Sequence, residues 1–223
     1  MSKNIFITAT GTDIGKTYVS ALIVKKMREE GFNCGYFKPV LSGVVEKDGK
    51  LVESDCNYVV NTAKIPTYAD NCVTYWWKEA VSPHLAAKRA GMEIDIAKIK
   101  ADFDKKNKEF DYLLIEGAGG ITCPLRLEKG EKYILKDLIK EFEAPIIIVA
   151  DGGLGTINSI LLTVEYARAN DIKIAGIILN NYEKDNFMHQ DNLKQVEYLT
   201  GVKVIATVER GGDEIGLLEG KFN

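Results

Sequence analysis

Three consecutive residues at the end of a glycine-bearing turn, Gly15, Lys16 and Thr17, have the types and spacing that bind phosphate. In such a loop the N–H groups at a helix start attract anions, the lysine reaches the outer phosphates, and the threonine hydroxyl binds Mg²⁺. The strict P-loop pattern has a glycine five positions before Gly15, where this chain has Thr10, so the match is partial. We predict a phosphate site; a helix start that merely contains Gly-Lys-Thr is the alternative.

Two further segments carry charges that suit the same chemistry. Glu116 precedes the small residues 117–120, and an acidic residue near a P-loop can hold Mg²⁺ while small neighbours let substrate approach the backbone. Lys38 precedes Pro39 and would point into the same crevice as Lys16. Two lysines suit a reaction that builds negative charge on a phosphate and on a carboxylate. A solvated glutamate and a solvated lysine remain the alternatives.

Asp55 is open to two interpretations. It stands at the start of a predicted helix over residues 54–62, where an aspartate can act as an N-cap. It could equally be a third oxygen ligand for Mg²⁺. Hydrophobic periodicity does not decide between a structural cap and a metal ligand.

The elements that must position these residues alternate between two patterns. Short, continuous apolar runs predict buried strands at 5–9, 34–40, 112–115, 146–150 and 174–179, with 202–208 as the last strand. Helical patterns cover 16–30, 54–62, 82–90, 94–107, 134–142, 156–170 and 185–199. Apart from its one helix, the segment 41–70 is polar and predicted to be a loop. This alternation predicts an α/β fold with a parallel sheet, and its ligand site at the carboxyl ends of the strands.

Composition narrows the class of protein. The chain has 223 residues, of which 46% are hydrophobic and 27% charged, and its net charge is −3. These values are typical of one globular domain and give no basic bias toward nucleic acid or anionic membranes. The four cysteines show no C-x-x-C spacing, so we expect reduced thiols. With neither a secretory signal pattern nor an apolar run of membrane-spanning length, the sequence predicts a cytoplasmic protein.

Taken together, these segments resemble the dethiobiotin synthetases, a family of the P-loop NTPase superfamily. The resemblance is carried by segments 13–17, 38–43, 54–55, 82–84, 116–120 and 154–158, in the order that the family has them. Lys-Pro-Val-Leu-Ser-Gly at 38–43 together with Glu-Gly-Ala-Gly-Gly at 116–120 is the most specific part. The resemblance implies a single-domain, three-layer α/β/α P-loop NTPase fold with a mostly parallel central sheet over residues 1–223.

The resemblance also implies a reaction. Family members join 7,8-diaminopelargonate and CO₂ (or bicarbonate) with ATP and Mg²⁺. A carbamate forms, becomes a carbamic-phosphoric anhydride, and closes to a ureido ring. Dethiobiotin, ADP and phosphate are the products, so the expected enzyme is an ATP-dependent ligase of biotin synthesis that forms carbon–nitrogen bonds.

Roles follow for residues that match the family's motifs. The expected nucleotide-binding residues are Asp13, Ile14, Gly15, Lys16, Thr17, Tyr18, Asp55, Glu116, Gly117, Ala118, Gly119, Asn180 and Asn181. Asn180, with Asn181, matches the residue that reads the adenine. The expected Mg²⁺ ligands are Thr17, Asp55 and Glu116, and the expected catalytic residues are Lys16, Lys38, Thr12 and Ser42. Substrate would contact Thr12, Lys38, Ser42, Glu116, Gly155, Thr156, Ile157 and Asn158. In the family, the last four come from a partner subunit and hold the substrate carboxylate, so a homodimer is expected.

Three positions depart from the family's pattern. Asp13 stands where members often have glutamate, and Ala9 replaces the first loop glycine. After Val208, the residues 209–211 lack the proline-containing segment expected beside the nucleotide base. The base contacts in this region are therefore left unassigned.

The sequence argues against three other classes of protein and leaves two open. A cobyrinate-synthetase-type ligase usually has an additional glutaminase domain, for which the chain has no room. A partitioning-type ATPase usually has a further lysine early in the loop, where residues 9–12 contain none. A dinucleotide oxidoreductase would show G-x-G-x-x-G spacing, which the loop at 10–17 lacks. A P-loop ATPase with another partner and a regulatory module without catalysis stay open, and ADP release that depends on substrate separates them from a ligase.

Overall fold

A computed structural model describes residues 3–127 and 130–217. In this part of the chain, eight strands form one sheet in the order β12-β11-β10-β9-β1-β6-β2-β5, and all neighbours are parallel except β11 and β12. The strands are β1 (Lys3–Ala9), β2 (Cys34–Ser42), β3 (Val45–Lys47), β4 (Lys50–Glu53), β5 (Val73–Trp77), β6 (Tyr112–Glu116), β7 (Pro124–Arg126), β8 (Tyr133–Ile134), β9 (Ile146–Asp151), β10 (Ile174–Asn180), β11 (Val204–Thr207) and β12 (Gly216–Leu217). The pairs β3–β4 and β7–β8 are separate antiparallel hairpins.

Seven α-helices and one short 3₁₀-helix (Ala69–Cys72) connect the strands in the described residues. The α-helices are α1 (Lys16–Glu29), α2 (Asp55–Thr62), α3 (Pro83–Arg89), α4 (Ile96–Glu109), α5 (Leu135–Glu141), α6 (Thr156–Ala169) and α7 (Phe187–Thr200). Side chains of Ser54, Asp95 and Asn186 accept hydrogen bonds from the first-turn N–H groups of α2, α4 and α7. By contrast, α1 and α6 follow Gly15 and Gly155 and have no side-chain cap. In α6 the N–H of Thr156 donates to the Gly153 carbonyl at 3.4 Å. The other first-turn N–H groups of α1 and α6 have no side-chain cap among the described residues and are therefore open to a ligand. No helix in the described residues is long and apolar enough to span a membrane.

The sheet is covered on both faces because each central strand sends alternate side chains to opposite sides. In β9, Ile146 and Ile148 pack in one buried cluster with residues of α3–α7, such as Ile160. Ile147 and Val149 pack in a second cluster with residues of α1 and α2. The predicted three-layer α/β/α arrangement with a mostly parallel sheet is thereby confirmed.

Several short strands differ from the sequence prediction. The segment 41–70 was predicted to be a loop apart from one helix, but it contains the hairpin β3–β4. The prediction that 202–208 is the last strand was wrong, since β12 follows and pairs antiparallel with β11. Strands β5, β7 and β8 were also not predicted. With the exception of β5, these strands have only two to four residues, too few to show a period of two.

The strand order brings three motifs to one edge of the sheet. Strand β6 lies between β1 and β2, and the register pairs Ile7 with Glu116 and Phe37 with Ile115. Lys38 is one residue beyond Phe37 and therefore lies level with Glu116. The loop after β1, the second half of β2 and the end of β6 consequently meet at the carboxyl edge, where open α/β sheets bind ligands.

Candidate active site

The loop between β1 and α1 has the backbone shape of a phosphate cradle. Gly15 has a φ of 92°, in the region that favours glycine. A Cβ on Gly15 would lie 2.2 Å from Nδ2 of Asn180, so both backbone and space require glycine here. Asn180, at the end of β10, donates from Nδ2 to the carbonyl of Ile14 at 2.9 Å. Lys16 Nζ turns back over the loop and donates to the Gly11 carbonyl at 3.3 Å.

A buried cluster of polar side chains lies beside this loop. Glu116 is fully buried, and its Oε1 accepts hydrogen bonds from Thr17 Oγ1 at 2.8 Å and from Lys38 Nζ at 2.6 Å. Its other oxygen, Oε2, accepts from the hydroxyl of Tyr36 at 3.0 Å. Lys38 also forms an ion pair with Asp55. The ammonium of Lys38 thus joins two carboxylates that come from different elements of the fold.

The electrostatics of the cluster distinguish its two lysines. Burial alone would lower the pKa of Lys38, but Glu116 and Asp55 outweigh burial and raise that pKa above the ordinary lysine value. The pKa of Lys16 is lowered, first by burial and then by repulsion from Lys38. Burial and the negative charge of Glu116 raise the pKa of the Tyr36 hydroxyl well above its ordinary value. Tyr36 therefore stays a neutral hydrogen-bond donor.

These groups line a cavity of about 390 Å³. Its lining residues are Thr12, Asp13, Gly15, Lys16, Thr17, Lys38, Val40, Leu41, Ser42, Asp55, Glu116, Ala118 and Gly119. The structure thus brings together all three predicted metal residues, most of the predicted nucleotide residues and half of the predicted substrate residues. Val40 and Leu41 were not predicted to belong to the site. Their place between Lys38 and Ser42 in β2 was the available signal, and they add an apolar wall to a polar cavity.

The oxygen ligands of the cavity fit a small, hard cation. Mg²⁺ prefers oxygen ligands and usually keeps waters or phosphate oxygens among them. The carboxylates of Asp55 and Glu116 already converge on one positive charge, that of Lys38, and Thr17 Oγ1 lies 2.8 Å from Glu116 Oε1. Within residues 3–127 and 130–217, no three His, Cys, Asp or Glu side chains form a metal cluster. A cation here would therefore take the hydroxyl of Thr17 and oxygens of a ligand as well.

Structure also separates the two interpretations of Asp55. Ser54, not Asp55, is the N-cap of α2, and its side chain accepts from the N–H of Asn57. Asp55 is the first helical residue, and its carboxylate faces the cavity and Lys38. The cap role is filled by its neighbour, so the carboxylate of Asp55 remains available to a ligand.

Some predicted nucleotide residues lie outside the cavity lining. Asn181 donates from Nδ2 to Asp151 Oδ2 at 2.7 Å, which commits this amide to a structural hydrogen bond. Tyr18 donates from its hydroxyl to the carbonyl of Gly212 and thereby joins α1 to the segment after β11. Gly117 is tightly packed, because an added Cβ would lie 2.6 Å from Leu135. Asn180 is buried, and within residues 3–127 and 130–217 its Oδ1 has no hydrogen-bond partner.

The predicted substrate residues 155–158 also lie away from the cavity of their own chain. They form the start of α6, directly after Leu154, whose side chain is 93% exposed. Thr156 is buried, and its Oγ1 has no hydrogen-bond partner among the described residues. The structure therefore presents an uncapped helix start beside an exposed apolar side chain. It does not bring this helix start to the phosphate loop.

Solved structures with the same architecture support the fold alone. The MinC:MinD cell division protein complex of Aquifex aeolicus matches with a TM-score of 0.55 at 14% identity, over 93% of this chain and 81% of that chain. FtsY from Mycoplasma mycoides matches with a TM-score of 0.52 at 16% identity, over 98% of this chain and 65% of that one. Residues 3–213 match a family model described as an AAA domain. Fold, loop and family model define a nucleotide-binding protein of the P-loop NTPase class.

Sequence relatives give the family. The ATP-dependent dethiobiotin synthetase BioD of Brachyspira hyodysenteriae is 50% identical over 211 residues, which cover 95% of this chain and 94% of that protein. The protein of the same name from Clostridium botulinum strain Eklund 17B is 48% identical over 217 residues, or 97% and 95% of the two chains. The chain belongs to the ATP-dependent dethiobiotin synthetase family. The predicted class, an ATP-dependent ligase of biotin synthesis that forms carbon–nitrogen bonds, is confirmed.

Proposed function

We propose that the chain uses ATP and Mg²⁺ to convert 7,8-diaminopelargonate and CO₂ into dethiobiotin, ADP and phosphate. The observation that carries the proposal is the convergence of Lys16, Lys38, Thr17, Asp55 and Glu116 on one cavity beside a phosphate loop. This arrangement places two positive charges and three hard oxygen ligands together. Such a set suits the transfer of a phosphoryl group to an anionic acceptor.

The phosphate loop is the proposed site for the triphosphate of ATP. Its open N–H groups at the start of α1 and the ammonium of Lys16 favour negative charge. Thr17, Asp55 and Glu116 would hold Mg²⁺, which supplies charge neutralisation at the phosphate oxygens when bound. Asn180 supports the loop through Ile14, and its unpartnered Oδ1 is an acceptor suited to an amino group of the base.

Lys38 is the proposed partner of the reacting carbamate. One substrate amine attacks CO₂, forms a carbon–nitrogen bond and releases a proton, which gives an anionic carbamate. A carbamate oxygen then attacks the γ-phosphorus and displaces ADP. The second amine attacks the carbamoyl carbon of the mixed anhydride, expels phosphate and releases a proton as the ring closes. Lys38 and Lys16 would stabilise the anions, and Thr12 and Ser42, which also line the cavity, would orient the substrate.

We further propose that the site is completed by a second copy of the chain. The start of α6 has open N–H groups that suit the distal carboxylate of the substrate, but it lies outside the cavity of its own chain. Exposed apolar side chains lie just before α6, on α6 and on α7, which packs against α6: Leu154, Leu162, Phe187, Tyr198 and Leu199. A homodimer would cover these side chains and bring α6 of one copy to the cavity of the other.

The reaction is tested by measuring ADP release with ATP, Mg²⁺, bicarbonate and 7,8-diaminopelargonate, with each component omitted in turn. We expect release to require all four, and mass spectrometry to show dethiobiotin. ADP release that ignores the diamine would instead identify a P-loop ATPase with another partner. Tight ATP binding without any turnover would identify a regulatory module.

Mixing two inactive variants tests the shared site. Lys16→Ala disables the phosphate loop, while Asn158→Asp puts a negative charge at the start of α6, where it should repel the substrate carboxylate. In a mixed dimer, one of the two sites combines an intact phosphate loop from one copy with an intact α6 start from the other. Because half of the dimers are mixed, activity should recover to about a quarter of the wild-type value. The separate variants provide the baseline, and no recovery after exchange of subunits would contradict the shared site.

Removing one proposed metal ligand should change the Mg²⁺ requirement. Asp55→Asn keeps the shape of the side chain but removes its charge, and Ser54 still caps α2. We expect the Mg²⁺ concentration for half-maximal ADP release to rise by roughly tenfold or more. The matched control is Asp95→Asn, at the N-cap of α4 on the other face of the sheet, which should leave the titration unchanged. An unchanged titration for Asp55→Asn would remove this residue from the metal site.

A further inference from the structure

Tyr36 is an unusual residue for the buried core in which it lies. Its side chain is 1% exposed and packs in the cluster between the sheet and helices α1 and α2. Tyrosine is seldom fully buried, because its hydroxyl needs a hydrogen-bond partner. Here the partner is Glu116 Oε2, at 3.0 Å. The hydroxyl thus connects the apolar core to a charged group of the candidate active site.

The sheet explains why this contact forms. Tyr36 and Lys38 are two residues apart in β2, so both side chains lie on the same face. Tyr36 pairs with Leu114 of β6, and Glu116 lies two residues further along that strand, again on the same face. The side chains of Tyr36 and Lys38 therefore approach the Glu116 carboxylate from adjacent positions of one strand.

Each oxygen of Glu116 has a distinct set of donors. Oε1 accepts from Thr17 and Lys38, two groups that line the cavity, whereas Oε2 accepts from Tyr36 on the core side. The terminal torsion of a glutamate is broad and is easily changed when one oxygen loses its donor. The hydrogen bond from Tyr36 therefore favours the orientation of the carboxylate in which Oε1 faces Thr17.

We propose that Tyr36 is a positioning residue, which fixes the Glu116 carboxylate so that Oε1 and the hydroxyl of Thr17 present themselves together to the cation. This inference rests on the proposed function, in which Glu116 and Thr17 hold Mg²⁺. Tyr36 does not touch the cation or the substrate; it acts through Glu116. Partners of this kind orient metal ligands, and their loss typically weakens metal binding by about 10- to 100-fold.

The test measures metal binding directly. Mn²⁺ serves as a paramagnetic probe, and its dissociation constant in the presence of ADP is measured by electron paramagnetic resonance for the wild type and for Tyr36→Phe. We expect the constant to rise by about tenfold or more in the variant. The Mg²⁺ concentration for half-maximal ADP release should rise in parallel.

Tyr75→Phe is the matched control. Tyr75 is also a buried tyrosine, and its hydroxyl accepts a hydrogen bond from the N–H of Asp95 at 3.2 Å, on the opposite face of the sheet from Glu116. Both phenylalanine variants should unfold at somewhat lower temperature, since each loses one buried hydrogen bond. Only Tyr36→Phe should change the Mn²⁺ constant, which separates positioning from a purely structural role.

A double variant gives a second test that does not depend on the size of the loss in Tyr36→Phe alone. Glu116→Gln removes the charge that Tyr36 serves, so adding Tyr36→Phe in this background should weaken Mn²⁺ binding by less than about twofold further. Wild-type Mn²⁺ binding in Tyr36→Phe, or additive losses in the double variant, would overturn the positioning role while the proposed function stands. A wild-type protein that binds no Mn²⁺ with ADP would instead overturn the metal site itself.

Discussion

Replacing Lys16 by alanine should lower ADP release by roughly 10²- to 10³-fold at saturating substrates, the size of loss seen when one preorganised charge-stabilising group is removed. Lys16 is buried, and its Nζ lies against the Gly11 carbonyl at the phosphate loop. Its ammonium would stabilise the negative charge that develops on the transferring phosphoryl group. A steady-state assay with ATP, bicarbonate and the diamine measures the loss.

Lys26→Ala is the control for this loss of a positive charge. Lys26 lies on the same helix, α1, but it is surface-exposed and pairs with Glu30 at 3.2 Å. Exposed pairs of this kind contribute about 0–1 kcal/mol to stability, so turnover and unfolding should both stay near the wild type. Lys16→Ala should also unfold as the wild type does in the absence of nucleotide. If it kept more than about a tenth of wild-type turnover, Lys16 would have no major catalytic role.

The strands that position the site were predictable because they are continuous apolar runs. Strands β1, β6, β9 and β10 have buried, continuous apolar runs such as Ile-Ile-Ile-Val in β9, the pattern of a parallel sheet. Their carboxyl ends carry the motifs, so the location of the site followed from the strand assignment. The order of strands did not follow, because pairing between distant segments is not encoded in local periodicity.

The elements that escaped prediction have weaker patterns. Strand β5 reads Val-Thr-Tyr-Trp-Trp, a composition typical of strands that could have been recognised. Strands β3 and β4 are mostly exposed and polar, so a loop was the natural interpretation. Hairpin β7–β8 includes a strand of two residues, which no period can reveal.

Side-chain partners within the site were the least predictable feature. Nothing in the sequence connects Tyr36 with Glu116, which are 80 positions apart. Asn181 was expected near the base with Asn180, yet its amide is bound to Asp151. Such contacts depend on strand register and on rotamers, which only the folded structure fixes.

Replacing Lys38 by methionine should lower turnover without weakening metal binding. We expect turnover to fall by roughly 10²- to 10³-fold, because the anionic carbamate and the phosphoryl group lose a buried charge. Binding of Mn²⁺ with ADP should not weaken. In the free protein Lys38 occupies the carboxylates of Glu116 and Asp55, so a cation must compete with its ammonium for the same oxygens. Methionine keeps the length of the side chain and removes this competition.

The stability of the same variant gives an independent check. Lys38 is buried, and without it the fully buried Glu116 loses its charged partner. Breaking a buried ion pair in this way costs about 3–5 kcal/mol, so the free variant should unfold much more easily in urea. Lys106→Met is the matched control, since Lys106 is also buried and pairs with Glu109 at 2.7 Å, outside the cavity lining. It should lose stability without losing turnover beyond what unfolding explains.

Mg²⁺ and ADP together should restore most of the stability that Lys38→Met loses, since the cation then neutralises the carboxylates that the lysine had neutralised. Lys106→Met, with no carboxylate in the metal site, should gain no more from the ligands than the wild type does. A rescue confined to Lys38→Met, with turnover still low, would mean that the cation can replace Lys38 beside Glu116 and Asp55 but not at the carbamate. The lysine would then have two successive partners: the carboxylates before nucleotide binds, and the substrate afterwards. Weaker Mn²⁺ binding in Lys38→Met would contradict this exchange.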